Sequence, residues 1–173
     1  MAKNSIQTKR PTASIVIETS AFLEHWQGHR RVTRRAIEAF PEEKLFTYSL
    51  GGMRPFSELA MEMIGMAYPG IQGIVTGEWR EVHELLHHSK KTIPKTKAQL
   101  LRLWDEVTEE IDKLWPQIPA NRFQERDLAF GQWEGPVYGF LLYWIDNEIH
   151  HRGQGYVYLR SLGIEPPAFY DRS

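Results

Sequence analysis

At 173 residues, with 21 Lys and Arg against 22 Asp and Glu, the chain is sized for one domain and carries no global charge to draw it to nucleic acid or anionic lipid. It has no Cys, which excludes disulfides, thiolate metal sites and cysteine nucleophiles; no apolar run is long enough for a membrane span or a signal sequence. The expectation is a cytoplasmic protein with neither nucleic-acid nor membrane partners.

Residues 1–13 are polar and aperiodic and read as a flexible N-terminal arm, with residues 14–173 as a single domain. From Ser20 to Phe40, the residues Phe22, Trp26, His29, Thr33, Ala36, Ile37 and Phe40 recur at helical spacing, and Pro41 forbids continuation, so this is the first helix. Its Arg30, Arg31, Arg34 and Arg35 read as a solvated face flanked by Glu24, Glu38 and Glu42 rather than a phosphate site. His29 falls within the apolar stripe, one turn after His25. A helical His pair at this spacing can chelate a metal, and His29 is held as a reserve ligand, although a hydrogen-bonded core histidine is the commoner outcome.

The turn-rich Ser49-Leu50-Gly51-Gly52 separates this helix from a second that opens at Pro55 and Ser57 and buries Phe56, Leu59, Met63, Met66 and Ala67. Pro69-Gly70 is expected to kink or interrupt it. Glu62 shares the inward face with Leu59 and Met66, where an uncompensated carboxylate is costly, so it requires a partner or a ligand.

Glu78 to His88 suggests a short extra amphipathic helix between the second and third long helices. Within it His83, Glu84 and His87 satisfy the H-E-x-x-H pattern of zinc peptidases, where two helical His bind metal and the Glu is general base. The match is short and generic, no Gly-x-x-His follows, and a surface helix is the simpler reading. Thr96-Lys97-Ala98-Gln99 forms a capping box for a third helix running to about Trp115, with Leu100, Leu103, Trp104, Val107, Ile111 and Leu114 inward and Glu109–Lys113 paired outward. Residues 117–135 lack helical periodicity and fit either a hairpin or a covering loop. Pro136 opens the last helix; Gly163 is positioned to cap it and Pro166-Pro167 to stop it.

That last helix carries the strongest functional signal. Phe140, Trp144, Asn147, His151, Gln154, Tyr158 and Leu162 share one face, apolar at both ends and polar in the middle. Asn147 and His151 stand one turn apart where a buried stripe would carry Leu or Val, so they need a partner or a ligand. Tyr143, Trp144 and the Met residues at 61, 63 and 66 could line a pocket, although such residues are more often core.

The run His151-Arg152-Gly153-Gln154, followed by Tyr158-Leu159-Arg160, Leu162-Gly163-Ile164 and Pro166-Pro167, is similar to the last helix of the DinB-like (damage-inducible) metal-binding bundles. The run Arg-Arg-Ala-Ile-Glu-Ala-Phe-Pro-Glu-Glu-Lys-Leu ending at Leu45, and Gly52-Met53-Arg54-Pro55-Phe56-Ser57-Glu58-Leu59, resemble that family's first helix and the start of its second. The resemblance implies an all-α, up-and-down four-helix bundle of DinB/YfiT type, a homodimer, and a divalent metal held by three histidines between the second and last helices.

Carried over by position, the three ligand places are Glu62, Asn147 and His151, of which only His151 keeps the imidazole. The resemblance implies zinc or nickel; one carboxylate, one amide and one imidazole would suit manganese or iron better. Three states of the site compete: a metal with altered preference, a metal-free Glu62–His151 acid–base couple, and a site completed by His29. The leading functional expectation is a stress-associated metal protein with thiol-dependent transferase or hydrolase activity on an unknown small molecule, a low-molecular-weight thiol among the candidates. The alternatives are a metal-free bundle serving as a small-molecule binding or interaction module, and the H-E-x-x-H peptidase.

Overall fold

The computed structural model describes residues 16–85 and 93–173, so the N-terminal arm and His87 lie outside it. Its helices are α1 (Thr19–Ala39), a short α2 (Glu42–Thr47), α3 (Phe56–Thr76), α4 (Lys97–Leu114) and α5 (Val137–Ser161). Between α4 and α5 the strands β1 (Arg126–Ala129) and β2 (Trp133–Pro136) form an antiparallel hairpin, Arg126 opposite Pro136 and Ala129 opposite Trp133. The fold is all-α apart from this hairpin, a four-helix bundle as the sequence indicates.

Local chemistry sets the helix ends. The Thr96 hydroxyl accepts from the Gln99 backbone N–H at 3.2 Å while the Gln99 side chain reaches back to the Thr96 N–H, the reciprocal cap that the sequence suggests. At the end of α5, Gly163 adopts φ +75° and donates to the Arg160 carbonyl at 3.0 Å, and Ile164 donates to the Leu159 carbonyl at 2.9 Å. This pair of bonds is the Schellman closure that favours glycine. Pro69 does not interrupt α3, which is helical through Thr76. One lost backbone bond is outweighed by the burial of Ile64, Ile71 and Ile74 around it and by the close seating of the Trp144 ring on Gly70, where a Cβ would come within 2.4 Å of the indole.

Residue pairings give the helix directions. Trp26 meets Trp144 and Thr33 meets Glu148, so α1 and α5 run parallel; Glu62 meets His151 while Gly70 meets Trp144, so α3 runs against α5. Arg30 reaches Trp104 and Gln27 reaches Asp112, so α4 runs against α1 and therefore parallel to α3, an up-down-down-up order in place of the up-and-down order expected. The segment from Gly77 to Thr96 is long enough to return along the bundle and make this possible. Both α1 and α3 pack against α4 and α5, and contact each other only thinly.

Because α5 touches two neighbours it has two inward faces. Trp144, Asn147, His151 and Gly155 meet α3, at Gly70, Glu62, Glu62 and Phe56 respectively; Glu148 and Arg152 form the second, against His29, Arg30 and Thr33 of α1. Glu148 and Arg152 are thus buried, as is Arg30 of α1, whose spacing from Trp26, Thr33 and Ile37 places it inward rather than on the expected solvated face. Arg30 donates to Thr108 Oγ1 at 2.7 Å and to the Trp104 carbonyl at 3.0 Å, with its guanidinium 4.0 Å over the Trp104 ring and its Nη1 4.0 Å from Glu148 Oε2. The other arginines of the cluster are also engaged: Arg34 binds both Asp105 oxygens at 2.7 and 3.0 Å, and Arg31 and Arg35 hold backbone carbonyls of Arg172 and Ser173. None of the four is free for phosphate.

Three further expectations change. Over residues 78–85, the described part of the expected extra helix, there is only a three-residue 3-10 turn, Val82–Glu84, in which Glu84 accepts from the Glu81 backbone N–H at 3.1 Å. Leu85 is extended at ψ 142°, and His87 of the H-E-x-x-H pattern lies outside the described residues. The short true helix is α2, directly after Pro41. Lys113 bonds Glu110 at 2.7 Å rather than Glu109.

Candidate functional site at the α3–α5 interface

Antiparallel packing brings Glu62, one third of the way along α3, level with Asn147 and His151 of α5. His151 Nε2 lies 3.0 Å from Glu62 Oε1, and Asn147 Nδ2 donates to the same oxygen at 3.3 Å. Glu62 Oε2 accepts from the guanidinium of Arg54, which stands just before α3 and whose own carbonyl accepts from Tyr158 Oη at 2.9 Å. Behind the imidazole, His151 Nδ1 lies 2.9 Å from Gln154 Oε1, and Gln154 Nε2 faces His150 Nε2 at 3.3 Å. The side chain of His151 is 8% exposed and that of Glu62 19%.

Both ring nitrogens of His151 therefore face acceptor oxygens, which is the hydrogen-bond pattern of an imidazolium. Burial alone would lower its pKa, but the bonds to Glu62 and Gln154 overcome this and raise it. The bond to His151 dominates at Glu62 and, with Arg54 and Asn147, holds the carboxyl far below the usual carboxylate range against the opposing effect of burial. The Asn147 amide must turn its N–H to the carboxylate, so its Oδ1 points away and, among the described residues, is buried without a donor.

His29 is not part of this group. It lies on the α1 side of α5, where Arg152 donates to its Nδ1 at 2.9 Å; burial first and then the neighbouring Arg152 and Arg172 depress its pKa to about 3. His25 stacks edge-on with it at 4.7 Å and accepts from Arg172 at 3.2 Å, so the helical His pair does not chelate as placed. Arg152 and Gln154 thus have distinct partners, His29 with Thr33 in one case and His151 with His150 in the other. Arg54 was not legible as a site residue, because it precedes the helix and no periodicity directs it; the Glu62 requirement for a cation was the only signal.

As placed, Glu62, Asn147 and His151 do not fit a divalent ion. The carboxylate and Nε2 are bonded to each other, the Asn147 oxygen faces away, and the Arg54 cation occupies the remaining carboxylate oxygen. Among the described residues no group of three or more His, Cys, Asp or Glu side chains is arranged to hold a metal.

One turn along both helices from this polar group is a cavity of about 290 Å³, lined by Met66 of α3, Phe140, Tyr143 and Trp144 of α5, and Ala129, Phe130 and Trp133 of the hairpin. Met66, Tyr143 and Trp144 thus border a pocket, whereas Met61 and Met63 are core.

The DinB family model matches residues 12–173. The chain belongs to the DinB family. A DinB-like protein of Bacillus cereus ATCC 10987 superposes with a TM-score of 0.68 at 18% identity, covering 87% of this chain and 97% of that one. A DinB-like protein of Bacillus subtilis, YjoA, gives a TM-score of 0.66 at 19% identity, covering 86% and 96%. At these identities the two share the fold with this DinB-family bundle, and no curated protein matches its sequence. Among the described residues, no helix of this family member is long and apolar enough to cross a membrane.

Proposed function

We propose that this DinB-family bundle is a small-molecule binding module whose site between α3 and α5 is closed by a metal-free Glu62–His151 ion pair. The observation that supports it is the complete engagement of the pair. Both His151 nitrogens have oxygen partners, and both Glu62 oxygens have donors. A charged pair satisfied in this way is anchored by its own hydrogen bonds and fixes α3 against α5 at the end of the aromatic cavity. The test is the protonation of His151 in long-range proton–nitrogen spectra of the full chain, tag removed, at neutral pH. Two protonated ring nitrogens, unchanged by chelator, support the reading; an unprotonated Nε2 that gains its proton when EDTA is added overturns it.

A second reading keeps a divalent metal on Glu62, Asn147 and His151, with transferase or hydrolase activity dependent on a low-molecular-weight thiol. The unpartnered Asn147 Oδ1 is the observation in its favour. It requires the amide to reverse and the Glu62–His151 bond to open, which is why the metal-free reading is preferred. The homodimer and cytoplasmic location implied by the resemblance belong to the proposal too, and sedimentation equilibrium tests the first.

A further inference from the structure

We infer that the outer face of α5 is a docking surface for a second copy of this chain, the two helices crossing antiparallel with Gly153 on the two-fold axis. This gives a face and a register to the homodimer named above, the one respect in which it rests on that reading; it does not depend on the state of His151.

The outer side of α5 is apolar where a helix facing water is charged. The exposed side of α4 carries Arg102, Glu106, Glu109, Asp112 and Lys113, the ordinary composition of a solvated face. On α5, beyond the flanks that meet α1 and α3, Tyr138, Leu142, Ile149 and Val157 are 40, 45, 39 and 51% exposed. Their spacings of four, seven and eight residues set them along one side of the helix, so they form a continuous strip rather than scattered exposures.

Gly153 lies in the middle of that strip. Gly70, Gly73 and Gly155 each seat an aromatic ring where a Cβ would stand, but a Cβ on Gly153 would meet nothing within 4 Å. Glycine weakens a helix interior, and among the described residues nothing uses the space this one leaves. A backbone arriving from outside the chain does use it.

The order of residues about Gly153 identifies that backbone. Four places either way are Ile149 and Val157, and seven places either way are Asp146 and Arg160, all exposed. When a two-fold axis passes through Gly153, a residue ahead of it in one copy meets the residue equally far behind it in the other. Ile149 then packs on Val157 of the partner subunit and Asp146 pairs with Arg160 of the partner subunit, each contact occurring twice. A parallel pair would instead set Asp146 against its own copy. Arg160 is available for this role, because its bond to Glu165 at 3.0 Å joins side chains 60% and 79% exposed and stabilises little. From Leu142 to Arg160 the strip is about 27 Å long, a small specific interface of roughly 1,200 Å² in total, so the dimer forms at micromolar concentration.

The test is sedimentation equilibrium of the tag-free full chain across the micromolar range, where a reversible monomer–dimer equilibrium is expected. Asp146→Arg and Arg160→Asp should each weaken self-association about tenfold or more, without moving the melting temperature in dilute solution. An equimolar mixture of the two variants should restore association, because every facing pair is then of opposite charge. The chain has no Cys, so Gly153→Cys should crosslink into dimers on mild oxidation, whereas Glu109→Cys on the outer side of α4 should not. A dimer indifferent to both charge variants, or a mixture that fails to restore it, overturns this inference and leaves the homodimer standing. A chain that stays monomeric throughout overturns both and gives the face to a different partner.

Discussion

Replacing Glu62 with Gln removes one charge and keeps the shape, so it isolates what the carboxylate does. In the native protein three donors converge on it, from His151, Asn147 and Arg54, and two of them are cationic. The amide can still accept from one of them, but it turns an N–H toward another donor. With His151 and Glu62 mostly buried, weakening the charge-assisted bonds should cost about 2 kcal/mol in urea unfolding. That cost depends on pH in a defined way. The depressed Glu62 pKa contributes stability above the ordinary carboxylate range and loses it in acid; the raised His151 pKa contributes stability below about pH 6.5 and loses it as pH rises through the folded value. The difference between native and variant should therefore be largest near pH 6 and shrink in alkali to the share held by Arg54. In the same variant the His151 pKa should fall below the native value, because the lowering due to burial is no longer opposed by a carboxylate. Identical His151 titrations in the two proteins, or a stability difference independent of pH, would refute the ion pair.

Arg30→Ala should destabilise by about 3–5 kcal/mol, since it leaves the buried Glu148 with the Thr33 hydroxyl and, at 3.9 Å, Arg152 as its one neighbouring cation, and Arg30→Met with Glu148→Gln should recover most of that loss in chemical denaturation. His29, depressed to about 3, is neutral when folded and takes a proton when unfolded below its ordinary value of 6.5, so it erodes stability as pH falls. Between pH 7.5 and 5.5 the native protein should lose roughly 1 kcal/mol more than His29→Asn, somewhat less than the roughly 1.4 kcal/mol of a fully desolvated imidazole; parallel pH profiles contradict it. Gly70→Ala should cost about 2 kcal/mol and alter the near-ultraviolet dichroism of the bundle, because its Cβ would meet the Trp144 ring at 2.4 Å and push it into the cavity.

Features with a single local cause were legible in the sequence. The Thr96–Gln99 box, the Gly163 closure, the end of α1 before Pro41 and the start of α5 after Pro136 all follow from backbone chemistry within a few residues. The convergence of Glu62, Asn147 and His151 was also legible, since one polar face on α5 and one inward carboxylate on α3 had to meet something. What was not legible came from the second inward face of α5. A helix whose polar and apolar residues are both spread around its circumference has no unique stripe, so Glu148 and Arg152 were masked by the face chosen first, and Arg30 was grouped with its surface neighbours although its spacing from Trp26 and Thr33 pointed inward. The helical directions, with α3 and α4 side by side, depend on a long connection whose path no local pattern encodes. Residues 78–85 show the opposite error: amphipathic spacing, even with the Glu81–Glu84 cap, yields only a turn there.

The most direct test is metal binding by the tag-free protein compared with a Glu62→His/Asn147→His variant, which places histidine at all three positions where the sequence resemblance implies ligands. Both are dialysed against zinc or nickel and assayed by mass spectrometry. The expected result is no stoichiometric metal on the native protein and about one ion per chain on the double variant. Stoichiometric metal on the native protein that His151→Ala abolishes would contradict the metal-free site.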